Sequence, residues 1–415
     1  MNKTGSFLNS LEKILLPVLI FLLPSQLGYH FWPEFSYIFG IRVDYLAPTI
    51  YLTDVLIFAI FVFFLLKKPK IGKKTQSLFL IILGFAAINI FLSENFGAAF
   101  FKWLKVGELI FLGYYIYSKK ALNIEKEIIR PLSFSLIIFS LIGILQFINQ
   151  KTLGGAFYFL GERNFTAATP GVALTEIFGK VFLRAYSTFS HPNSFAAFLG
   201  VSLIFILLSK GKDRVKALIL SFALTSLLLS FSLGAFVSLL VVLIFYLIER
   251  FYKPLSRRFL LTPFFLLIIA SFLFPLLTKD SLTGREIGER YRERVSLAVS
   301  AEKVFSQSPI TGVGLNNFIG QAVKEWEERG VVWGLQPPHN VFLLVAAETG
   351  MLGLFFFVYL FSLSFSKSRD ASKKAVFFSL AFILVSGLFD HHWLTLTQNQ
   401  LLFSFLLGLS FRKKI

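Results

Sequence analysis

The sequence predicts an all-α polytopic membrane protein with about twelve transmembrane helices and a large helical loop on the extracytoplasmic side. Three observations predict it. Of 415 residues, 55% are hydrophobic and 17% aromatic. Only 15% are charged, against about 25% in soluble domains. Apolar runs of membrane length recur from end to end, and a crossing helix needs ~20 mainly apolar residues. We read residues 1–415 as a single integral-membrane domain.

In chain order, the first run (12–31) follows Lys3 and Lys13 without an obvious small-residue cleavage site. It therefore reads as a retained span and not a signal peptide. Further runs lie near 49–66, 77–93, 98–117, 131–149 and 192–209. Six more follow near 217–233, 235–249, 259–277, 341–365, 375–390 and 397–411. With a cytoplasmic N-terminus, the inside loops are KKPKIGKK (67–74), KKALNIEKEIIR (119–130), KGKDRVK (210–216), ERFYKPLSRR (249–258) and KSRDASKK (367–374), with the tail RKK (412–414). All are basic, and the short outside turns carry almost no Lys or Arg, as the positive-inside rule requires. Both termini are then cytoplasmic. The net charge of +18 is absorbed by this topology, so nucleic acid is not an expected partner. With no cysteine, thiol chemistry and disulfides are excluded.

Two outside segments exceed the ~12–15 residues common for loops. One runs from about Gln150 to His191. The other, 278–340, is read as an extracytoplasmic loop inserted before the tenth span. Within it, REIGERYRERVSLAVSAEKVF (285–305) places Ile287, Tyr291, Val295, Ala298 and Val299 at helical spacing. This pattern predicts an amphipathic helix lying on the membrane face or over a cavity. SPITGVG (308–314) then breaks it.

The unusual polar residues collect at the outer ends of the runs: Asp54, Lys102, Lys105, Arg184, His191, Arg285, Arg290, Arg292, Arg294, His339, Asp390, His391 and His392. Guanidinium forks match phosphate or carboxylate oxygens. Arg290 and Arg294, four apart, share a helix face, although Glu286, Glu289 and Glu293 offer them ordinary surface ion pairs. A lone histidine is more often structural than catalytic. For His339, Pro337 and Pro338 restrict the approach and Asn340 is a good N-cap for the following helix, so its imidazole is held at the rim. Its ordinary pKa near ~6.5 suits proton abstraction near neutral pH. Glu348 lies about 13 Å further along that helix. An intramembrane carboxylate is a functional candidate, but we favour a structural tie here, with Gly350 and Gly353 permitting close helix approach. No P-loop, HExxH, GxSxG or metal-ligand motif is present, so neither a metal nor another cofactor is expected.

Three segments resemble the O-antigen ligase and O-antigen polymerase superfamily of bacterial envelope glycan enzymes. They are RAYSTFSHPNSFA (Arg184 to Ala196), RVSL with SPITGVGLNNF (Arg294 to Phe318), and PHNVFLLVAAETGMLG (Pro338 to Gly353). The resemblance implies a GT-C-like fold in the bacterial inner membrane. It implies an inverting, metal-independent glycosyltransferase that takes a glycan from a polyprenyl-diphosphate (undecaprenyl-type) carrier and passes it to an acceptor hydroxyl, as in lipopolysaccharide assembly. The acceptor is a lipid anchor or protein in a ligase, or another carrier-linked glycan in a polymerase; the late loop favours the ligase. By the same resemblance Arg184 and Arg294 hold the carrier diphosphate and His339 activates the acceptor. We add Arg290, one turn from Arg294, with Asn340, Glu348, His191 and Asn193 in support. A transporter of lipid-linked sugars is the rival class, although it would more often carry broken mid-membrane helices and repeats.

Overall fold

The computed structural model describes residues 13–209, 213–251, 266, 268–273, 289–324, 335–368 and 373–412. Helices occupy the predicted runs in order: α1 (13–21), α2 (Leu52–Leu66), α3 (Lys73–Phe91), α4 (Phe96–Ser118), α5 (Arg130–Asn149), α6 (Pro192–Leu208), α7 (Asp213–Leu229) and α8 (Leu233–Phe251). After them come α9 (Glu289–Gln307), α10 (Phe318–Lys324), α11 (Val341–Lys367), α12 (Lys374–Ser386), α13 (His392–Thr395) and α14 (Thr397–Ser410). The run near 259–277 lies mostly outside the described residues, of which 268–273 are helical. Among the described residues, four helical stretches are long and apolar enough to cross a membrane: Lys73–Phe91, Glu125–Asn149, Leu233–Phe251 and Val341–Lys367. Leu52–Leu66, Pro192–Leu208, Val215–Leu229 and Lys374–Ser386 are apolar but shorter. The protein is thus a helical membrane protein.

Short strands appear where the sequence reading placed none. The first run stops being α-helical at residue 21, because Pro24 cannot continue the ladder. Beyond it β1 (Gly28–His30) pairs antiparallel with β4 (Thr49–Tyr51). Between these, β2 (Tyr37–Ile38) pairs with β3 (Ile41–Arg42). In the Gln150–His191 segment β5 (Leu174–Ile177) pairs with β6 (Lys180–Leu183).

The centre of the bundle is α6 and α12, which pack on each other. From Ala375 to Ser386 every residue of α12 is buried, and α6 is buried from Ser194 to Ile206. A helix apolar all round belongs inside. α4 crosses α14 closely: a Cβ on Gly408 would lie 2.5 Å from the Gly113 carbonyl oxygen. Small residues are what permit such a crossing.

A second, smaller core lies under α9. Its buried residues Val295, Leu297, Ala298, Ala301 and Val304 face α10 and the first half of α11, where Phe318, Ile319, Leu344 and Ala347 complete the cluster. The expected amphipathic helix is present, and its apolar face packs against protein. Ile287 of the predicted stripe is outside the described residues.

The SPITGVG segment explains a break in α11. Gly350 has φ +64°, ψ −167° inside an otherwise helical stretch, so carbonyls lose their helical partners there and must find others. Residues 309–314 supply them. Val313 N–H donates to the Ala347 carbonyl at 3.1 Å and Gly314 N–H to that of Glu348 at 3.1 Å. In return, Met351 N–H donates to Pro309 at 2.8 Å. The approach requires glycine on both sides. A Cβ on Gly350 would sit 2.3 Å from the Ile310 oxygen, and one on Gly312 2.2 Å from the Glu348 carbonyl carbon.

Asn89 of α3, fully buried, locks this junction. Its Nδ2 donates to the carbonyls of Thr311 at 2.9 Å and Glu348 at 3.0 Å. Its Oδ1 accepts from Leu315 N–H at 2.9 Å and Trp103 Nε1 at 2.8 Å.

Candidate functional site

The N-terminus of α6, the N-terminus of α11 and the turn after α12 meet at one end of the bundle. Local rules place each. Asn340 caps α11, its Oδ1 accepting from Phe342 N–H at 2.9 Å and Leu343 N–H at 3.1 Å. Val341 N–H donates to the Gly387 carbonyl at 2.8 Å, which ties the start of α11 to the end of α12. His191 caps α6, its Nδ1 accepting from Asn193 N–H at 3.1 Å. Asn340 and His191 therefore fix the backbone at the starts of α11 and α6.

A continuous polar chain runs through this junction. Arg184, buried just after β6, donates from Nε to the Ser230 carbonyl at 2.6 Å and from Nη2 to Asn193 Oδ1 at 2.7 Å. Asn193 Nδ2 donates to Asp390 Oδ2 at 3.1 Å. Asp390 Oδ1 accepts from His391 N–H at 2.8 Å and faces His339 Nδ1 at 3.8 Å. That last separation is an ion-pair distance and too long for a direct hydrogen bond. The His339 and His391 rings lie 5.3 Å apart. Arg294 reaches the same turn, its Nη1 3.4 Å from the Phe389 carbonyl.

The cluster is buried except at His339. Asp390, His391 and His392 are 8%, 4% and 3% exposed, whereas the His339 side chain is 18% exposed and reachable. Burial opposes ionisation of Asp390, but His339 opposite it, with His392 and His391 beside it, holds its carboxyl well below the usual carboxylate range. Burial pushes His391 down to about 3 and His392 to about 4, against the attraction of Asp390. At neutral pH Asp390 is thus an ionised carboxylate beside the neutral imidazoles of His391 and His392.

The fold thus gathers Arg184, His191, Asn193, Arg294, His339 and Asn340. Arg290 lies one turn before Arg294 in α9, with its side chain outside the described residues. Glu348 is elsewhere: its Oε1 accepts from Phe318 N–H at 3.3 Å, tying α11 to α10 in the manner of a structural residue. Lys105 pairs with Asp54 and, at 3.1 Å, with Glu108, joining α2 to α4.

Asp390 is what sequence reasoning missed. Its 51-residue separation from His339 hides the pairing; the Asp390–His391–His392 run beside an apolar stretch was the available signal. The same separation hides a potential metal set. Ligand atoms of His339, Asp390 and His391 lie within 4.8 Å of one another, and two imidazoles with a carboxylate suit zinc. Thr395 Oγ1, 2.8 Å from His391 Nδ1, would orient that ring for ligation through Nε2.

A helical membrane protein with an arginine–aspartate–histidine chain at one end of its bundle is the class these features define. Residues 217–358 match a family model described as O-antigen ligase; this stretch includes Arg294 and His339. Over 189 residues the chain is 29% identical to a Rickettsia conorii protein provisionally named as a polysaccharide ligase. That alignment covers 42% of this chain and 45% of the relative, so the chain spans less than half the length of the curated relative it matches. Over residues 217–358 the chain is thus similar to the O-antigen ligase family.

Proposed function

We propose that the protein is an inverting, metal-independent glycosyltransferase of GT-C type. It moves a glycan from a polyprenyl-diphosphate carrier to an acceptor hydroxyl at the outer face of the bacterial cytoplasmic membrane. In this reading about twelve helices cross the bilayer, both termini are cytoplasmic, and the loop 278–340 is extracytoplasmic. The observation that carries it is the meeting of Arg184, Arg294, Asp390 and His339, drawn from four distant segments, at one end of an apolar bundle.

The acceptor oxygen attacks the anomeric carbon from the face opposite the diphosphate. The carbon–oxygen bond to the carrier breaks, and its electron pair leaves with the diphosphate. Arg184 and Arg294, with Arg290 a turn away, offset the negative charge developing there; such fixed charge acts best where water is excluded. The acceptor proton passes to His339. Asp390 positions this imidazole: with its Nδ1–H toward the carboxylate, Nε2 is free to accept the proton, and the imidazolium that forms is stabilised. A 3.8 Å separation is the loose geometry expected before substrate tightens the site. Arg184 is pinned by Ser230 and Asn193, so guanidinium and base are held in one rigid chain.

The test uses full-length protein in lipid with a polyprenyl-diphosphate glycan and a panel of acceptors, with and without chelator. Chelator-resistant transfer of preformed chains to a lipid anchor or protein, lost in His339→Ala, is the expected result. A ladder of longer carrier-linked chains would make it a polymerase. Movement of the intact lipid-linked glycan across the bilayer without transfer would overturn the reading in favour of transport.

A further inference from the structure

The β5–β6 hairpin ends in a turn that its sequence should avoid. Ile177 pairs with Lys180, leaving a two-residue connection, Phe178–Gly179. Both have positive φ, +49° and +76°. Such turns favour Asn-Gly or Asp-Gly, and a bulky residue at positive φ is an outlier. Phe178 is nevertheless there, and it is 101% exposed. The same Phe–Gly pair closes β2–β3, where Phe39 (φ +50°) and Gly40 (φ +75°) lie between Ile38 and Ile41. Phe39 is 62% exposed.

The hairpin is rooted beside a lipid-facing helix. Phe134, Leu141 and Ile148 of α5 are exposed and seven residues apart, so they form one stripe along a candidate membrane span. At the stripe's end Phe182 of β6 stacks on Phe147, centroids 5.8 Å apart, and Phe147 stacks on Phe231 at the α7–α8 turn at 6.3 Å. Leu183 N–H donates to Gln150 Oε1 at 2.6 Å, just past the end of α5. From Leu183 the strand reaches about 16 Å to its tip. Exposed Phe178 at the tip carries apolar surface beyond the helix, and exposed Lys180 lies on the same face of β6 as Phe182.

We infer that this hairpin is a lipid-binding finger: Phe178 enters the bilayer interface at this end of the bundle while Lys180 meets anionic headgroups. Aromatic residues at the interface and cations near anionic lipid are both favourable. Glu176 and Val181, paired across the strands, share the opposite face of the hairpin, which is its aqueous side. The finger rests on α5 as a membrane span and does not depend on the glycan chemistry.

Because the chain has no cysteine, single labels test the inference directly. Full-length Phe178→Cys carries an environment-sensitive fluorophore in vesicles of phosphatidylethanolamine and phosphatidylglycerol, and exposed Thr169→Cys is the comparison. The expected result is a blue-shifted emission at 178, quenched by lipids with nitroxide at a shallow acyl position and shielded from aqueous iodide. Iodide quenching equal to that at 169, with no lipid quenching, overturns it. A second pair keeps the native tip in the first member: Ile177→Cys, on the Lys180 face, alone and with Phe178→Asn. Asparagine suits the turn, so the hairpin persists; lipid quenching at 177 should fall in the double variant, and unchanged quenching refutes the role of Phe178.

Discussion

Asn89→Leu removes the amide that locks α3, the 309–315 segment and the α11 break together, while nearly preserving side-chain volume. Four hydrogen bonds disappear. The Glu348 carbonyl keeps Gly314 N–H, so three groups lose the partner described above: the Thr311 carbonyl, Leu315 N–H and Trp103 Nε1. A buried group left unsatisfied costs about 1–3 kcal/mol. These three bonds are only partly buried, so the lower end applies and the expected loss is about 3 kcal/mol. That is a large share of a typical margin of about 5–15 kcal/mol. The comparison is Asn149→Leu at an exposed site, expected to stay within about 0.5 kcal/mol. Thermal unfolding in lipid nanodiscs gives the global value, and hydrogen exchange at 309–317 gives the local one. If Asn89→Leu matched Asn149→Leu in both, the junction would not depend on Asn89 and the account of the break would be wrong.

Four further outcomes follow from the same structure. Asp390→Asn should lower transfer strongly while leaving donor binding intact, read as a fall in kcat with little change in KM; loss of binding instead would argue against a positioning role. Arg184→Lys keeps the charge but cannot bridge Ser230 and Asn193, costing about 1.5–3 kcal/mol per charged hydrogen bond lost, visible as weaker use of a diphosphate-linked donor. His391 and His392, held at about 3 and about 4 in the fold against ~6.5 when unfolded, take up protons on unfolding. Stability should therefore be full above about pH 6.5 and fall progressively toward pH 4, and His391→Gln with His392→Gln should flatten that slope in thermal melts. Added Zn²⁺ should inhibit by occupying His339, Asp390 and His391, with His391→Ala relieving inhibition; direct zinc titration of both proteins checks the site independently of turnover.

Hydropathy and loop charge made the helices legible, because lipid imposes one rule on every crossing segment. The strands escaped it: β1 and β4 are three residues each, and β1 lies at the end of an apolar run, after Pro24, Ser25 and Gln26. Arg184, Arg294 and His339 were legible as residues, through their motifs and the cappable Pro-Pro-His-Asn entry to α11. Asp390 was legible only as a polar residue, since its role lies in a contact with a residue 51 positions earlier. Asn89 left still less trace. One amide in an apolar helix looks like a tolerated surface residue until the segment that it serves, more than 220 positions away, folds against it.

The break at Gly350 divides α11 mechanically. Its first half, starting two residues after His339, is stitched by carbonyls 347 and 348 to the 309–314 strap and carries the inner face of α9. The second half is joined to it by the covalent chain, by the return bonds from 351 and 352 and by the contact of the Phe342 and Phe357 rings. A load on α9 would pass through the strap into the first half of α11, whose start is anchored in the main core by Val341 and Phe342. His339 and the loop helix α9 are thus coupled through one stitched half-helix, not through the whole of α11.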